Sequence, residues 1–127
     1  MRHTRWVKAK GTPRHVRGTM NRTEAAYAER LTSLQLSGDI AGFDFEPLTL
    51  RLAPKTSYCP DFLVQLPDGT LAFHEVKACG SAGQYLAEDA SRIKIKVAAE
   101  KFGLFEFWFA GKLPKKLGGG WKFERVG

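Results

Sequence analysis

Residues 60–77 read PDFLVQLPDGTLAFHEVK, and this stretch decides the fold because it predicts a β-hairpin. Two apolar runs, 61–66 and 70–77, flank the turn Pro67-Asp68-Gly69. Proline fits the first central position of a type I turn, and glycine accepts the left-handed conformation that closes a three-residue loop. This loop makes Leu66 face Thr70, so counting outward brings residue 61 opposite residue 75.

Three charged side chains, Asp61, Glu75 and Lys77, are predicted to share one face of this hairpin. Paired residues share a face, and strand side chains repeat every second position, so Lys77 joins the two acids. A two-residue loop would shift the register by one and send Asp61 to the opposite side. His74 points to that opposite side, and we assign it a structural role. The turn therefore decides whether an acidic cluster forms.

This cluster has two interpretations. Two carboxylates a few ångströms apart repel each other, and a hard divalent cation with oxygen ligands keeps both ionised at neutral pH. Mg²⁺ in such a site polarises a phosphoryl oxygen and lowers the pKa of a bound water. Lys77 would then orient that water or stabilise charge on the phosphate. The alternative is a cross-strand ion pair on a solvated face, and the triplet alone does not separate the two.

A family resemblance favours the metal site. Pro60-Asp61, thirteen intervening residues and Glu75-Val76-Lys77 resemble the signature of the PD-(D/E)xK nuclease superfamily. Residues 20–24, 46–52 and 88–97 are similar to segments of a family of small bacteriophage nucleases, related in plan to endonuclease I-type Holliday-junction resolvases. The likeness covers about residues 20 to 110.

The resemblance implies a restriction-endonuclease-like α/β core, in which a mixed β-sheet is flanked by helices in the order α-β-β-β-α-β. It also implies a Mg²⁺ site, where Mn²⁺ would substitute, formed by Asp61, Glu75 and the backbone carbonyl of Val76. A glutamate on the first helix often completes the site in that superfamily, and Glu24 is the matching residue. By the same analogy Lys77 assists hydrolysis.

Glu24 has a structural alternative. Asn21-x-x-Glu24 is typical of a capping box, in which Asn21 caps the helix and Glu24 reaches back to the cap amide. One carboxylate does not fill both roles completely. We favour the metal role, because Tyr27, Leu31 and Leu34 at helical spacing would pack this helix on the sheet and leave its first turn near the sheet edge.

The amino-terminal segment carries the charge excess. The first 22 residues contain seven Lys or Arg and no acid, so the whole formal charge of +7 lies there. Because glycine and proline interrupt residues 1–21 and no apolar period is present, we expect a flexible arm that binds DNA phosphates. The alternative is a solvated terminus, and a membrane is a poorer partner because the segment has no hydrophobic face. The predicted DNA contacts here are Arg2, Arg5, Lys8, Lys10, Arg14, Arg17 and Arg22.

The carboxyl-terminal half predicts a helix and two strands. A helix from about residue 87 to 101 would pack through Ala90, Ile93 and Val97, which leaves Arg92, Lys94 and Lys96 for solvent or DNA phosphate. The bulky strand 105–110 should lie parallel to the strand of Glu75, because a helix connects them. Residues 121–126 alternate like one more edge strand. Residues 22–111 would thus form the core, followed by a tail, 112–127.

The two cysteines, Cys59 and Cys79, lie at the ends of the hairpin. The register makes a disulfide conceivable, but we predict two reduced thiols, as is usual in the cytosol.

These features predict a Mg²⁺-dependent DNA endonuclease, and the resemblance alone favours branched DNA such as a Holliday junction. Symmetrical cutting of two strands implies a homodimer. The alternatives are a structure-tolerant or nicking nuclease, a non-catalytic nucleic-acid-binding module, and a basic interaction protein without nucleic acid. No small-molecule substrate is expected. Without a long apolar run or signal peptide, the sequence predicts a cytoplasmic protein, in the host cell cytoplasm if a phage encodes it.

Overall fold

Strand pairing organises the chain into a mixed α/β structure. A computed structural model describes residues 18–86 and 89–127. The elements are α1 (Arg22–Leu36), β1 (Gly42–Phe45), β2 (Leu50–Ala53), β3 (Thr56–Tyr58), β4 (Phe62–Gln65), β5 (Leu71–Ala78), α2 (Asp89–Lys101), β6 (Glu106–Lys112), a short 3₁₀ helix (Lys115–Leu117) and β7 (Trp121–Val126).

Five strands form the main sheet in the order β1-β4-β5-β6-β7, and β2 and β3 form a separate two-stranded sheet. The central strands β5 and β6 are parallel, and the other neighbouring pairs are antiparallel. The α/β class and the parallel β5–β6 pair are therefore confirmed, and the architecture is consistent with a restriction-endonuclease-like core. Among the described residues, no helix has the length and hydropathy that crossing a membrane requires.

The hairpin has the predicted register. Its strands pair Phe62 with His74 and Gln65 with Leu71. The N–H of Gly69, which has a φ of +91°, donates to the carbonyl of Leu66 across 2.9 Å, as a three-residue loop requires. This turn chemistry is what fixes the faces of every residue in β4 and β5.

The helix α1 begins directly after Asn21, as the capping box predicts, and covers one face of the sheet. Asn21 Oδ1 accepts a hydrogen bond from the N–H of Glu24, and Gly38 follows the helix with a φ of +84°. The predicted inward side chains Tyr27 and Leu31 are buried. The core on this side contains Tyr27, Leu31, Ile40, Phe62, Val64, Val76 and Ala110.

The helix α2 covers the other face, but the prediction of its inward side chains was wrong. Ile95 and Ala98 are buried, whereas Ile93 and Val97 are 61% and 42% exposed. Arg92 holds a place on the inward side, because its guanidinium lies 5.9 Å from the centroid of a phenylalanine ring of β6. The predicted pair, Ile93 and Val97, and the buried pair, Ile95 and Ala98, both have helical spacing, so periodicity alone did not identify the buried side of α2.

The tail strand β7 pairs antiparallel with β6 and forms an edge of the main sheet, which confirms the edge strand expected there. Val126 is buried in the α2-side core, and the Trp121 ring lies 4.8 Å from the Tyr27 ring on the α1 side. The tail therefore covers both cores.

The strand β3 was not predicted. It follows β2 through a turn at Pro54-Lys55, where Lys55 has a φ of +61°. Lysine is an unusual residue for this left-handed conformation, so the turn lacks the glycine or asparagine that normally reveals a hairpin.

Candidate active site

The hairpin register brings Asp61 and Glu75 together on the α2 side of the sheet. Extending the observed pairs by one residue places the two acids opposite each other. They are only 9% and 5% exposed. Lys77 lies one pleat further along β5, where its Nζ is 3.3 Å from Glu75 Oε2. These three predicted residues therefore form one cluster.

The proline before Asp61 interrupts the strand pairing beside the cluster. The next hydrogen-bonded pair of the β4–β5 ladder would join Pro60 to Val76. Proline has no N–H and cannot donate to the Val76 carbonyl. The N–H of Val76 donates instead to Asp61 Oδ2 across 2.8 Å. The Asp61 carboxylate is thereby fixed, and the Val76 carbonyl lacks its usual ladder donor.

Burial and mutual repulsion disfavour the ionised forms of the two acids. Burial, together with the negative charge of Glu75, raises the pKa of Asp61 to about 8. Burial also raises the pKa of Glu75, although Lys77 and a hydrogen bond from Tyr58 oppose that shift. A divalent cation between the carboxylates would favour the ionised form of both.

Tyr58 is a residue of this cluster that the sequence did not reveal. Its hydroxyl donates to Glu75 Oε1 across 2.6 Å, and its ring is buried among the α2-side core residues. Burial and the nearby Glu75 charge raise the pKa of Tyr58, which keeps the hydroxyl protonated as a donor. Because β3 itself was not predicted, no local pattern pointed to this contact.

Glu24 is buried at the start of α1, and its capping role is confirmed. Its Oε1 accepts a hydrogen bond from the N–H of Asn21 across 2.9 Å, which completes the capping box. Its charge nevertheless reaches the cluster, since it contributes to raising the pKa of both Asp61 and Glu75. Its role as a metal ligand stays a prediction.

The donor set fits a hard divalent cation. Asp61 and Glu75 would supply carboxylate oxygens and Val76, the residue after Glu75, a carbonyl oxygen, which is the ligand chemistry of Mg²⁺ and Mn²⁺. Within residues 18–86 and 89–127, no group of three or more His, Cys, Asp or Glu side chains is arranged as a ready metal site. An ion bound here would therefore complete its coordination with water, as Mg²⁺ usually does.

The predicted DNA-contacting residues lie in several places. Arg22 is exposed at the first position of α1, and Lys96 is exposed on α2. Arg92 and Lys94 are half-buried on the same helix. The remaining predicted contacts lie outside the described residues: Arg2, Arg5, Lys8, Lys10, Arg14 and Arg17.

Both cysteines are free thiols, as predicted. Cys79 is buried, and burial raises the pKa of its thiol, so it lacks the thiolate character of a nucleophile.

Comparison with known proteins gives little further information. No protein-family profile matches the chain, and no curated protein matches it significantly. Among solved structures, the crystal structure of SSO0001 is similar over 81% of this chain, with a TM-score of 0.48 and 11% sequence identity. This chain spans about half of that protein's length, 49%.

Proposed function

We propose that the protein is a Mg²⁺-dependent endonuclease that hydrolyses DNA phosphodiester bonds at the Asp61–Glu75–Lys77 cluster. One observation carries the proposal: two buried carboxylates face each other beside a lysine, and the proline that precedes one of them removes the ladder donor of the adjacent Val76 carbonyl. A purely structural ion pair would not need the second buried acid.

Each residue has a distinct task in this mechanism. Asp61, Glu75 and the carbonyl oxygen of Val76 would hold the cation. A Mg²⁺ ion bound there would supply Lewis acidity and a water of lowered pKa. Lys77 places its ammonium group beside the scissile phosphate and stabilises the charge that develops as water adds to phosphorus and one ester bond breaks. Tyr58 keeps the Glu75 carboxylate in position.

Branched DNA is the substrate that we propose, and a homodimer is the active form. This part of the proposal is supported by the resemblance of residues 20–24, 46–52 and 88–97 to small phage nucleases, and by the basic amino-terminal segment. Two symmetry-related sites would allow paired cuts in two strands.

A non-catalytic nucleic-acid-binding module is the second candidate, and one observation favours it. Both carboxylate oxygens of Glu75 already have a partner, because Oε1 accepts from Tyr58 and Oε2 pairs with Lys77. In this alternative the cluster stabilises the sheet, and basic side chains hold the nucleic acid.

Cleavage assays on defined DNA distinguish the two candidates. Four-way, flapped, linear and single-stranded DNA are incubated with the purified protein in Mg²⁺, in Mn²⁺ and in chelator. We expect cleavage with either metal, fastest on the four-way junction, and none in chelator. Salt-dependent DNA binding without cleavage of any substrate would support the binding module instead.

A control variant separates the protein's activity from that of a contaminating nuclease. Asp61→Asn, purified in the same way, should bind the four-way junction but not cut it. Unchanged cleavage by this variant would refute the assignment of the site.

A further inference from the structure

The surface beside the carboxylate pair is not symmetric in charge, and this asymmetry indicates where the nucleic acid lies. Two rows of side chains cross the sheet on the α2 side. One row runs from Glu75 on β5 through Phe109 on β6 to Glu124 on β7. The row above it runs from Lys77 through Gly111 to Lys122. Lys122 thus places a second basic residue at the β7 edge, in the same row as Lys77.

Gly111 has no side chain, and the ring of Tyr85 occupies the space between the two lysines. A Cβ at this position would lie 2.6 Å from Cys79 Sγ and 2.7 Å from Tyr85 Cε1, so no side chain fits there. The Lys122 Nζ lies 4.2 Å from the centroid of the Tyr85 ring. Since neighbouring strands are about 4.8 Å apart, the backbones of the two lysines lie about 10 Å apart across the glycine.

Beyond this row, a cavity of about 550 Å³ lies between α2 and the strands β6 and β7. Two basic and two acidic residues of α2 and β7 line it: Arg92, Lys96, Glu100 and Glu124. Arg125 also lines it, but its guanidinium lies over Trp108 on the α1 side. With Lys122 of the adjacent row, cations outnumber acids in this region by three to two. Arg92 lies over Phe109, the direct neighbour of Glu75 in the row below Lys77. The cationic region therefore begins one strand away from the acidic pair.

The β1 side of the cluster has the opposite character. Asp44 pairs with Leu63 and so projects on the same face as Asp61. The cavity at this edge is lined by Asp44, Gln35, Gln65 and apolar residues, with no lysine or arginine from the part of the chain that the structure describes. A polyanion would be repelled here and attracted toward β7.

We propose that the DNA strand that carries the scissile phosphate runs from the acidic pair across β6 and β7 to α2. Its flanking phosphates then contact Lys77, Lys122, Arg92 and Lys96, which we call the β7 track. This inference rests on the proposed function for the position of the scissile phosphate, and it adds the direction of the strand and a new contact, Lys122.

Binding measured in chelator tests the track independently of cleavage. Lys122→Ala and Arg92→Ala should weaken binding of a four-way junction and of linear duplex, and each should reduce the slope of log K against log salt by about 0.9. Arg30→Ala is the matched control, because this arginine also lies over a phenylalanine of the sheet, Phe123 at 5.3 Å, but on the opposite face. It should retain the wild-type slope.

Photo-crosslinking tests the direction in which the DNA strand leaves the acidic pair. A photoreactive residue at position 122 should crosslink to nucleotides next to the cleavage position, and one at position 44 should crosslink at background level. Thermal melting of each variant confirms that it is folded. Equal crosslinking at 44 and 122, or equal slopes for Lys122→Ala, Arg92→Ala and Arg30→Ala, would overturn the proposal.

The two proposals fail in different ways. If the track variants change the salt slope but no substrate is cut in Mg²⁺, the hydrolytic function fails and the track stands. If cleavage depends on Mg²⁺ but Lys122→Ala and Arg92→Ala bind like wild type, the track fails and the nuclease stands.

Discussion

Neighbouring residues of β5, His74 and Glu75, face opposite sides of the sheet and meet opposite conditions. His74 Nδ1 lies 2.6 Å from the Tyr27 hydroxyl under α1, and burial lowers the pKa of His74 to about 4. Glu75 faces a second acid, and burial raises its pKa. Burial favours the neutral form of both groups. On the α1 side, neutral His74 has a hydrogen bond with Tyr27. On the α2 side, Glu75 faces a second carboxylate, Asp61.

The comparison shows that burial alone does not identify a functional residue. His74 is a titratable group with a shifted pKa, yet its hydrogen bond to Tyr27 accounts for its place in the fold. Among the residues that the structure describes, Lys77 is the cationic partner of Glu75, at 3.3 Å, and the pKa of Asp61 still rises to about 8. The acidic pair differs from His74 because repulsion by Glu75 adds to the effect of burial on the pKa of Asp61.

The sharpest way to break this comparison is to replace one titratable residue on each face with an amide. Asp61→Asn should abolish Mg²⁺-dependent cleavage, because the cation loses a charged ligand, while four-way junction binding stays close to wild type. His74→Gln, on the other face, should retain cleavage. The measurements are initial cleavage rates and binding isotherms in chelator. Loss of cleavage in both variants to the same extent would mean that the faces are not functionally distinct.

Removing the lysine of the cluster should have the next largest effect on cleavage. Lys77→Ala should lower the single-turnover cleavage rate by about 10²–10³-fold, since a preorganised charge next to the developing negative charge is lost. Lys122→Ala is the comparison, because it removes a lysine from the same row without touching the cluster. A smaller loss for Lys77→Ala than for Lys122→Ala would contradict the role given to Lys77.

Tyr58→Phe tests whether the support of Glu75 matters. The variant keeps the buried ring and removes the hydroxyl that donates to Glu75 Oε1 across 2.6 Å. We expect the affinity for Mg²⁺ to fall by about 10–100-fold, as is typical when a partner of a metal ligand is removed. The Mg²⁺ dependence of the cleavage rate measures this, and saturating Mg²⁺ should restore most of the activity. A lowered rate with unchanged Mg²⁺ dependence would place Tyr58 in the core alone.

The smallest effects are on stability, and the two faces should give opposite pH dependences. Asp61 has a folded pKa of about 8, above its usual 3.8, so its contribution to metal-free stability is lost as the pH rises from about 4 to about 8. His74 has a folded pKa of about 4, below its usual 6.5, so its contribution is lost as the pH falls from 6.5 to about 4.

Thermal melting across this pH range measures both effects. In chelator, Asp61→Asn should flatten the decline above pH 4, and His74→Gln should flatten the decline below pH 6.5. Mg²⁺ should stabilise the wild-type protein increasingly as the pH rises, and should not stabilise Asp61→Asn in this way. A melting temperature that is independent of Mg²⁺ at pH 8 would argue against a cation at the acidic pair.

Local chemistry made most of the hairpin and α1 predictable. The turn Pro67-Asp68-Gly69 has one well-populated geometry, so the register of β4 and β5, and with it the shared face of Asp61 and Glu75, followed from short-range rules. The capping box at Asn21 and Glu24 likewise needs only residues three apart. For Glu24 the capping contact, which the sequence offered as the structural alternative, does form, and its role as a metal ligand stays a prediction.

The features that escaped prediction depend on distant parts of the chain. Ile95 rather than Ile93 is buried because the aromatic residues of β6 decide which side of α2 faces inward. Tyr58 lies in the β2–β3 hairpin, whose turn has no glycine, and it contacts Glu75, which is 17 positions away in sequence. Neither the spacing of apolar residues nor a short motif contains this information.

The proline at position 60 has a consequence for how this molecule can change. An amino acid with an amide hydrogen at this place would allow the β4–β5 ladder to continue by one rung, to the carbonyl of Val76. That gain in strand pairing would engage the carbonyl oxygen that we propose as a metal ligand. If the proposed site is correct, selection for a more stable hairpin and selection for metal affinity oppose each other at this proline.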